Sequence, residues 1–300
     1  MMCRDALDWL RITVIAEDTV PLDSPLLGQH GLAVWVEAPR GKDVFRVLFD
    51  VGQHTHALWH NFDCLRIDPS QADALLLSHC HYDHTRGTAE VLRRIGKRNF
   101  PLVAHPDIFR PHFEMFPSLL SIGMDSEDSR EALEAAGAAL ILSRDPISFL
   151  PGLMTTGEVP RRSSYEKTPP TFRTLREGVL ERDLMMDDLS LVASVKGRGL
   201  VILTGCAHAG IVNIVSHGME LFPGVPLEGI MGGLHLAEAG EDVLEKTLED
   251  LKKLAPRWVA PGHCTGRRGV FGFFQHFREE LRSFTSGSRI LISAEGVEIA

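Results

Sequence analysis

Apolar and polar residues alternate through 10–16, with β-branched side chains at the apolar positions, and the pattern predicts a strand. A loop through Pro21 and Pro25 follows. Two further strand-like runs, 31–37 and 44–50, flank Pro39-Arg40-Gly41-Lys42 and predict a hairpin. The apolar run 72–77 reads as a short buried strand. Helical spacing marks 55–66 and 88–95, and 100–105 returns to strand. From 105 to about 187 regularity fades: Pro, Ser, Arg and Glu surround one helical patch at 130–136 and one strand at 139–142. Order resumes with 189–195 and 200–204, joined by Lys196-Gly197-Arg198-Gly199 as a hairpin. Beyond it helices at 211–221, 241–254 and 272–284 alternate with strands at 229–231, 258–260 and 290–293. Helices alternating with strands in both halves predict an α/β fold with helix layers outside a central pair of sheets.

Composition narrows the classes. With 300 residues, 44% hydrophobic and 24% charged, the chain can build a sizeable core. A formal charge of −9 and the lack of any basic run argue against a nucleic-acid partner, because phosphate binding leans on clustered positive charge. The pairs Arg161-Arg162 and Arg267-Arg268 read as solvated surface charge. Five cysteines, at 3, 64, 80, 206 and 264, form no C-x-x-C and no even framework, which suggests a reducing compartment. Charged residues in the first eight positions do not suit a signal peptide, and no apolar stretch approaches spanning length. The expectation is a cytoplasmic protein, away from membranes, that acts on a small molecule.

The densest chemistry lies in Ser78-His79-Cys80-His81-Tyr82-Asp83-His84, directly after the apolar run. On extended backbone, residues two apart share a face, so His79 and His81 can grip one ion while Asp83 and His84, past the bend, face a second. Histidines also cluster by accident. The pair His54 and His56 lacks a carboxylate at matching spacing, runs into a helix and reads as surface. The cluster at 79 ends a buried strand, where α/β folds place chemistry. Such ligands suit zinc first, then iron or manganese.

The H-x-H-x-D-H motif resembles the signature of the metallo-β-lactamase superfamily. The likeness extends to Phe49-Asp50-Val51-Gly52, Thr204-Gly205-Cys206-Ala207-His208, Gly232-Gly233-Leu234-His235 and Pro261-Gly262-His263-Cys264. The combination is similar to the branch labelled 7,8-dihydropterin-6-methyl-4-(β-D-ribofuranosyl)-aminobenzene-5'-phosphate synthase-like. The resemblance implies one αββα domain of two mixed sheets over 1–300, with 105–187 as an insertion covering the cleft.

It also implies roles. Asp50 would orient a ligand through a hydrogen bond, unless it only caps a strand. His263 matches the final metal ligand. Where the superfamily has a bridging Asp, this chain has Cys206 and His208, either of which can serve as ligand. His235 is a ligand, a substrate binder or the acid that protonates a leaving group, and His30 is a further substrate-binding candidate. The family's third-motif histidine is not obvious; Asp187, Asp188 and Glu158 stand in that general region.

Two divalent ions about 3.5–4 Å apart can share a hydroxide and neutralise charge growing on an attacked phosphorus or carbonyl. The expected function is a metal-dependent hydrolase of a phosphoester or carbonyl-type ester, with Asp83 steering the nucleophile. A pterin-pathway synthase and an iron-dependent oxidoreductase are the alternatives. The lack of an attached flavin-binding domain counts against the oxidoreductase.

Overall fold

The computed structural model describes residues 6–115 and 117–300; Cys3 therefore lies outside the described residues. Two sheets stack face to face. The eight-stranded sheet runs in the order Gly296–Ile299, Arg289–Ser293, Trp9–Ala16, Ala33–Arg40, Asp43–Phe49, Ala74–Leu76, Phe100–Ala104, Ala138–Leu142. The six-stranded sheet runs Trp258–Gly262, Leu227–Gly233, Gly199–Thr204, Ser190–Val195, Leu153–Thr155, Ser148–Leu150. Both are mixed, with antiparallel hairpins beside parallel strands.

Burial follows from this layering. Ile12, Val14, Val36, Phe49, Leu191, Leu203 and Trp258 form the core between the sheets. Strands covered on both faces need apolar residues at nearly every position, and 200–203 shows this. On the outer face of the larger sheet, Leu58, Phe62 and Leu92 from Thr55–Leu65 and Thr88–Ile95 pack against Trp35 and Leu75. Ile211–Leu221, Glu241–Leu254 and Gly266–His276 cover the smaller sheet. Glu241–Leu254 shows why: Leu244, Thr247, Leu248 and Leu251 make one buried stripe at helical spacing. Acidic residues open that helix and Lys252 and Lys253 close it, complementing its dipole. The order helix, sheet, sheet, helix is the expected αββα architecture.

Two local expectations differ. The helix expected at 272–284 runs instead over Gly266–His276. Residues 280–282 leave it because they bond the edge of the smaller sheet: Val259 N–H donates to Glu280 O at 2.9 Å and Arg282 N–H to Val259 O at 2.8 Å. Within 105–187, a third sheet of four short strands joins His112–Glu114 and Leu120–Ser121 to the hairpin Phe172–Arg176 and Val179–Arg182. No helix among the described residues is long and apolar enough to cross a membrane.

Candidate metal centre

Five loops carry the site, each leaving the C-terminal end of a strand. Asp50 follows Asp43–Phe49, and Ser78 to His84 follow Ala74–Leu76. Cys206 and His208 follow Gly199–Thr204, His235 follows Leu227–Gly233, and His263 closes Trp258–Gly262. Ligand sites in α/β sheets gather at such ends. Asp50, Ala207, His235 and His263 adopt φ of 58, 60, 50 and 49°. These left-handed conformations cost non-glycine residues about 1–3 kcal/mol each and concentrate at functional sites.

Hydrogen bonds fix which imidazole nitrogens stay bare. Ser78 Oγ gives its only proton to Asp50 Oδ2 at 2.7 Å. At its 2.8 Å contact with His79 Nδ1 it must therefore accept, which leaves His79 Nε2 a free lone pair. His84 Nδ1 donates to Asp50 Oδ2 at 2.7 Å, and His263 Nδ1 to Asp18 Oδ1 at 2.9 Å. In the neutral tautomer each leaves Nε2 bare, and the two Nε2 atoms stand 3.2 Å apart; burial opposes a charge on His263, but Asp18 and Asp83 outweigh it and hold that imidazole well above its ordinary range until a cation takes the proton's place. Lone pairs that face each other at this distance repel unless a cation or a proton lies between them. Nitrogens on one tetrahedral zinc stand about 3.3 Å apart.

Asp83 Oδ2 is 3.3 Å from His263 Nε2 and 3.6 Å from His84 Nε2, and Cys206 Sγ is 3.2 Å from His84 Nε2. Beside this group the His81 ring lies 4.6 Å from both His79 and His208, centroid to centroid, and His79 lies 4.8 Å from His208. Donor atoms of His79, Cys206 and His208 fall within 4.8 Å of one another, as do those of His84, Cys206 and His263. Cys206 is common to both groups. His79 Nε2, His81 Nε2 and both nitrogens of His208 are buried without a hydrogen-bond partner among the described residues. Orphaned lone pairs of this kind fit a cation-binding pair of sites.

The electrostatics agree. Burial, reinforced by neighbouring imidazoles, pushes His79, His81 and His208 well below the ordinary imidazole range and keeps them neutral. Burial would raise Asp83, but His84 and His263 outweigh it and hold the carboxyl well below its usual range. Burial pushes the Cys206 thiol well up; a bound cation reverses that and draws off the proton.

The other expected residues are distributed as follows. His30 is exposed at the mouth, with Nε2 3.4 Å from Asp83 Oδ2. His235 faces His208 with ring centroids 4.1 Å apart. His54 and His56 are exposed, as read from the sequence. Asp187 accepts from Cys80 N–H and Arg110, both at 2.8 Å; Asp188 accepts from Ala209 N–H; Glu158 bonds His105 and Arg144. Those bonded oxygens brace loops and do not join the donor groups.

Sequence reasoning missed several neighbours. Glu17 and Asp18 hold His263, Glu17 accepting its backbone N–H at 2.7 Å. Ser78 orients His79. His112 is buried, donates Nδ1–H to Asp183 at 2.7 Å and lies 4.8 Å from the His81 ring. An acidic pair directly after the strand Trp9–Ala16 was the one available signal for Asp18. A cleft of about 1100 Å³ opens over these groups, walled in part by Tyr165, Phe172 and Arg182 from the 105–187 segment.

The profile of the β-lactamase superfamily domain matches residues 46–135, which include the His79 to His84 loop. The chain belongs to the metallo-β-lactamase superfamily of enzymes, in the branch that holds the dihydropterin synthase described next. It is 33% identical over 287 residues to the 7,8-dihydropterin-6-methyl-4-(β-D-ribofuranosyl)-aminobenzene-5'-phosphate synthase of Methanocaldococcus jannaschii, covering 95% of this chain and 97% of that protein. Among solved structures, Tm1679, described as a metal-dependent hydrolase of the β-lactamase superfamily, superposes with a TM-score of 0.78 at 25% identity, covering 95% of this chain and 99% of that one. A diphosphatase of the PhnP family, at 14% identity and a TM-score of 0.51 over 95% of this chain and 98% of that one, shares the fold.

Proposed function

We propose that the chain is a metal-dependent hydrolase of a small-molecule phosphoester or carbonyl-type ester. His79, His81 and His208 are the proposed ligands of one divalent ion and Asp83, His84 and His263 of the other, with Cys206 in reach of both. The observation that carries this is the convergence of His84 Nε2, His263 Nε2 and Asp83 Oδ2, with the two nitrogens 3.2 Å apart. Zinc is the first choice for a set of imidazole, carboxylate and thiolate, with iron and manganese as alternatives. When bound, such ions polarise the attacked oxygen and ease loss of a proton from water near neutral pH.

The chain's own residues supply the rest. Asp83 Oδ2, held ionised, accepts a hydrogen bond from the attacking water and steers it. Asp50 keeps His84 in the tautomer that offers Nε2. His235, on the cleft wall, gives a proton to the leaving group, and His30 contacts substrate at the mouth. The parts of 105–187 outside the two main sheets cover the cleft: Tyr165 and Phe172 narrow it, exclude bulk water and select the substrate.

A second reading is favoured by the 33% identity across nearly the whole chain: a synthase joining a pterin precursor to an aminobenzene ribosyl phosphate. One assay series separates them. Purified protein is given phosphodiesters, lactones and thioesters singly, and the two precursors together, with and without a chelator. Chelator-sensitive hydrolysis that His81→Ala and Asp83→Ala abolish supports the hydrolase. Product only from the paired precursors selects the synthase. Full activity in either variant after metal removal refutes both.

A further inference from the structure

We propose that Cys206, His235 and Cys264 form a third cation site, selective for a thiophilic divalent ion, on the cleft wall beside the proposed pair. The inference rests on the metal reading above and extends it. The three residues come from three separate strand ends, yet one donor atom from each lies within 4.8 Å of the other two. Neither His235 nor Cys264 is among the six imidazole and carboxylate ligands assigned to the pair.

His235 Nδ1 is buried and has no hydrogen-bond partner among the described residues. Cys264 Sγ accepts His235 N–H at 3.2 Å, lies 3.5 Å from Cys206 O and interacts with the Cys206 and His235 side chains. The backbone is shaped to admit that sulfur: a Cβ on Gly233 would stand 2.7 Å from Cys264 Sγ. On a tetrahedral ion, sulfur and nitrogen donors stand about 3.5–3.8 Å apart, inside the observed limit. One nitrogen and two sulfurs favour zinc, cadmium or cobalt over magnesium or manganese. All three residues line the cleft, so a fourth position would face substrate. His235 can bind the ion through Nδ1 and still present Nε2–H to the cleft. Binding would release the thiol protons to solvent.

The test is anaerobic titration of metal-free protein with cobalt(II), counting bound ions by equilibrium dialysis and following the near-ultraviolet sulfur-to-cobalt band. Wild type should take one ion more than Cys264→Ser, and one more than His235→Ala. In Cys264→Ser the part of the band that arises with the lost ion should vanish, leaving only what Cys206 contributes through the pair. The two variants alter different strand ends, and far-ultraviolet circular dichroism of the metal-free proteins checks folding. Equal ion counts and an unchanged band in both variants would overturn the proposal and leave the pair standing. His84→Ala separates the two readings: it should remove an ion of the pair and keep the step that depends on Cys264.

Discussion

Asp50 and Asp18 follow two different strands of the larger sheet and perform the same task, each accepting an Nδ1–H so that a histidine offers Nε2 inward. Removing such partners typically costs 10–100-fold in metal affinity. Asp50→Asn and Asp18→Asn should each weaken zinc binding by about that factor in a competition titration with a chromogenic chelator, with little change in the circular dichroism of the metal-free protein. Unaltered affinity in both would mean that the tautomers are set elsewhere. Asp50 was legible because it sits in a recognisable strand-end motif. Asp18 was not, since its partner His263 lies 245 positions away and the acidic pair after the strand, the one local signal, does not name that partner. His112 was hidden for a similar reason: its strand pairs with Phe172–Arg176, some sixty residues further on, and its approach to His81 is a tertiary contact.

Strand ends and close-packed glycines set the geometry at the scale of elements. Gly205 continues the strand Gly199–Thr204, and a Cβ there would meet Ser78 Oγ at 2.2 Å. Gly205→Ala should displace Ser78, loosen its bond to Asp50 and cost about 1–3 kcal/mol in denaturant unfolding, as overpacked sites do. Metal affinity should fall with it; unchanged stability and affinity would show that the loop yields without consequence. Strands and helices with a full buried face were readable from their periodicity, as Glu241–Leu254 illustrates. The strands of the third sheet were not, because they are two to five residues long and partly exposed, and their two short hairpins are joined by a pairing across some sixty residues. The helix expected at 272–284 was misplaced because the tertiary pull of the sheet edge on residues 280–282 outweighs local spacing.

Across the whole molecule, the stretch around Tyr165 and Phe172 that walls the cleft is fastened by a few specific contacts. Glu166 is one: its carboxylate accepts N–H bonds from Val212 and Asn213 at the start of Ile211–Leu221, yet burial outweighs these bonds and raises its pKa to about 7. The folded protein thus keeps a proton that the unfolded chain loses from about pH 4.5 upward. This contribution to stability is full below pH 4.5 and is lost as pH rises through about 7. Proteolytic cleavage near 161–169 should therefore speed up across that window, and Glu166→Gln should flatten the dependence. A profile that Glu166→Gln leaves unchanged would assign the effect to other groups.

The central claim is that imidazoles and carboxylates from distant strand ends share a pair of cations. Anomalous diffraction at the zinc edge, from crystals grown with zinc, measures this directly. One peak should lie between His84 Nε2, His263 Nε2 and Asp83, and another among His79, His81 and His208. Crystals in which His84 and His263 bind no common ion, with their rings turned apart, would contradict the account.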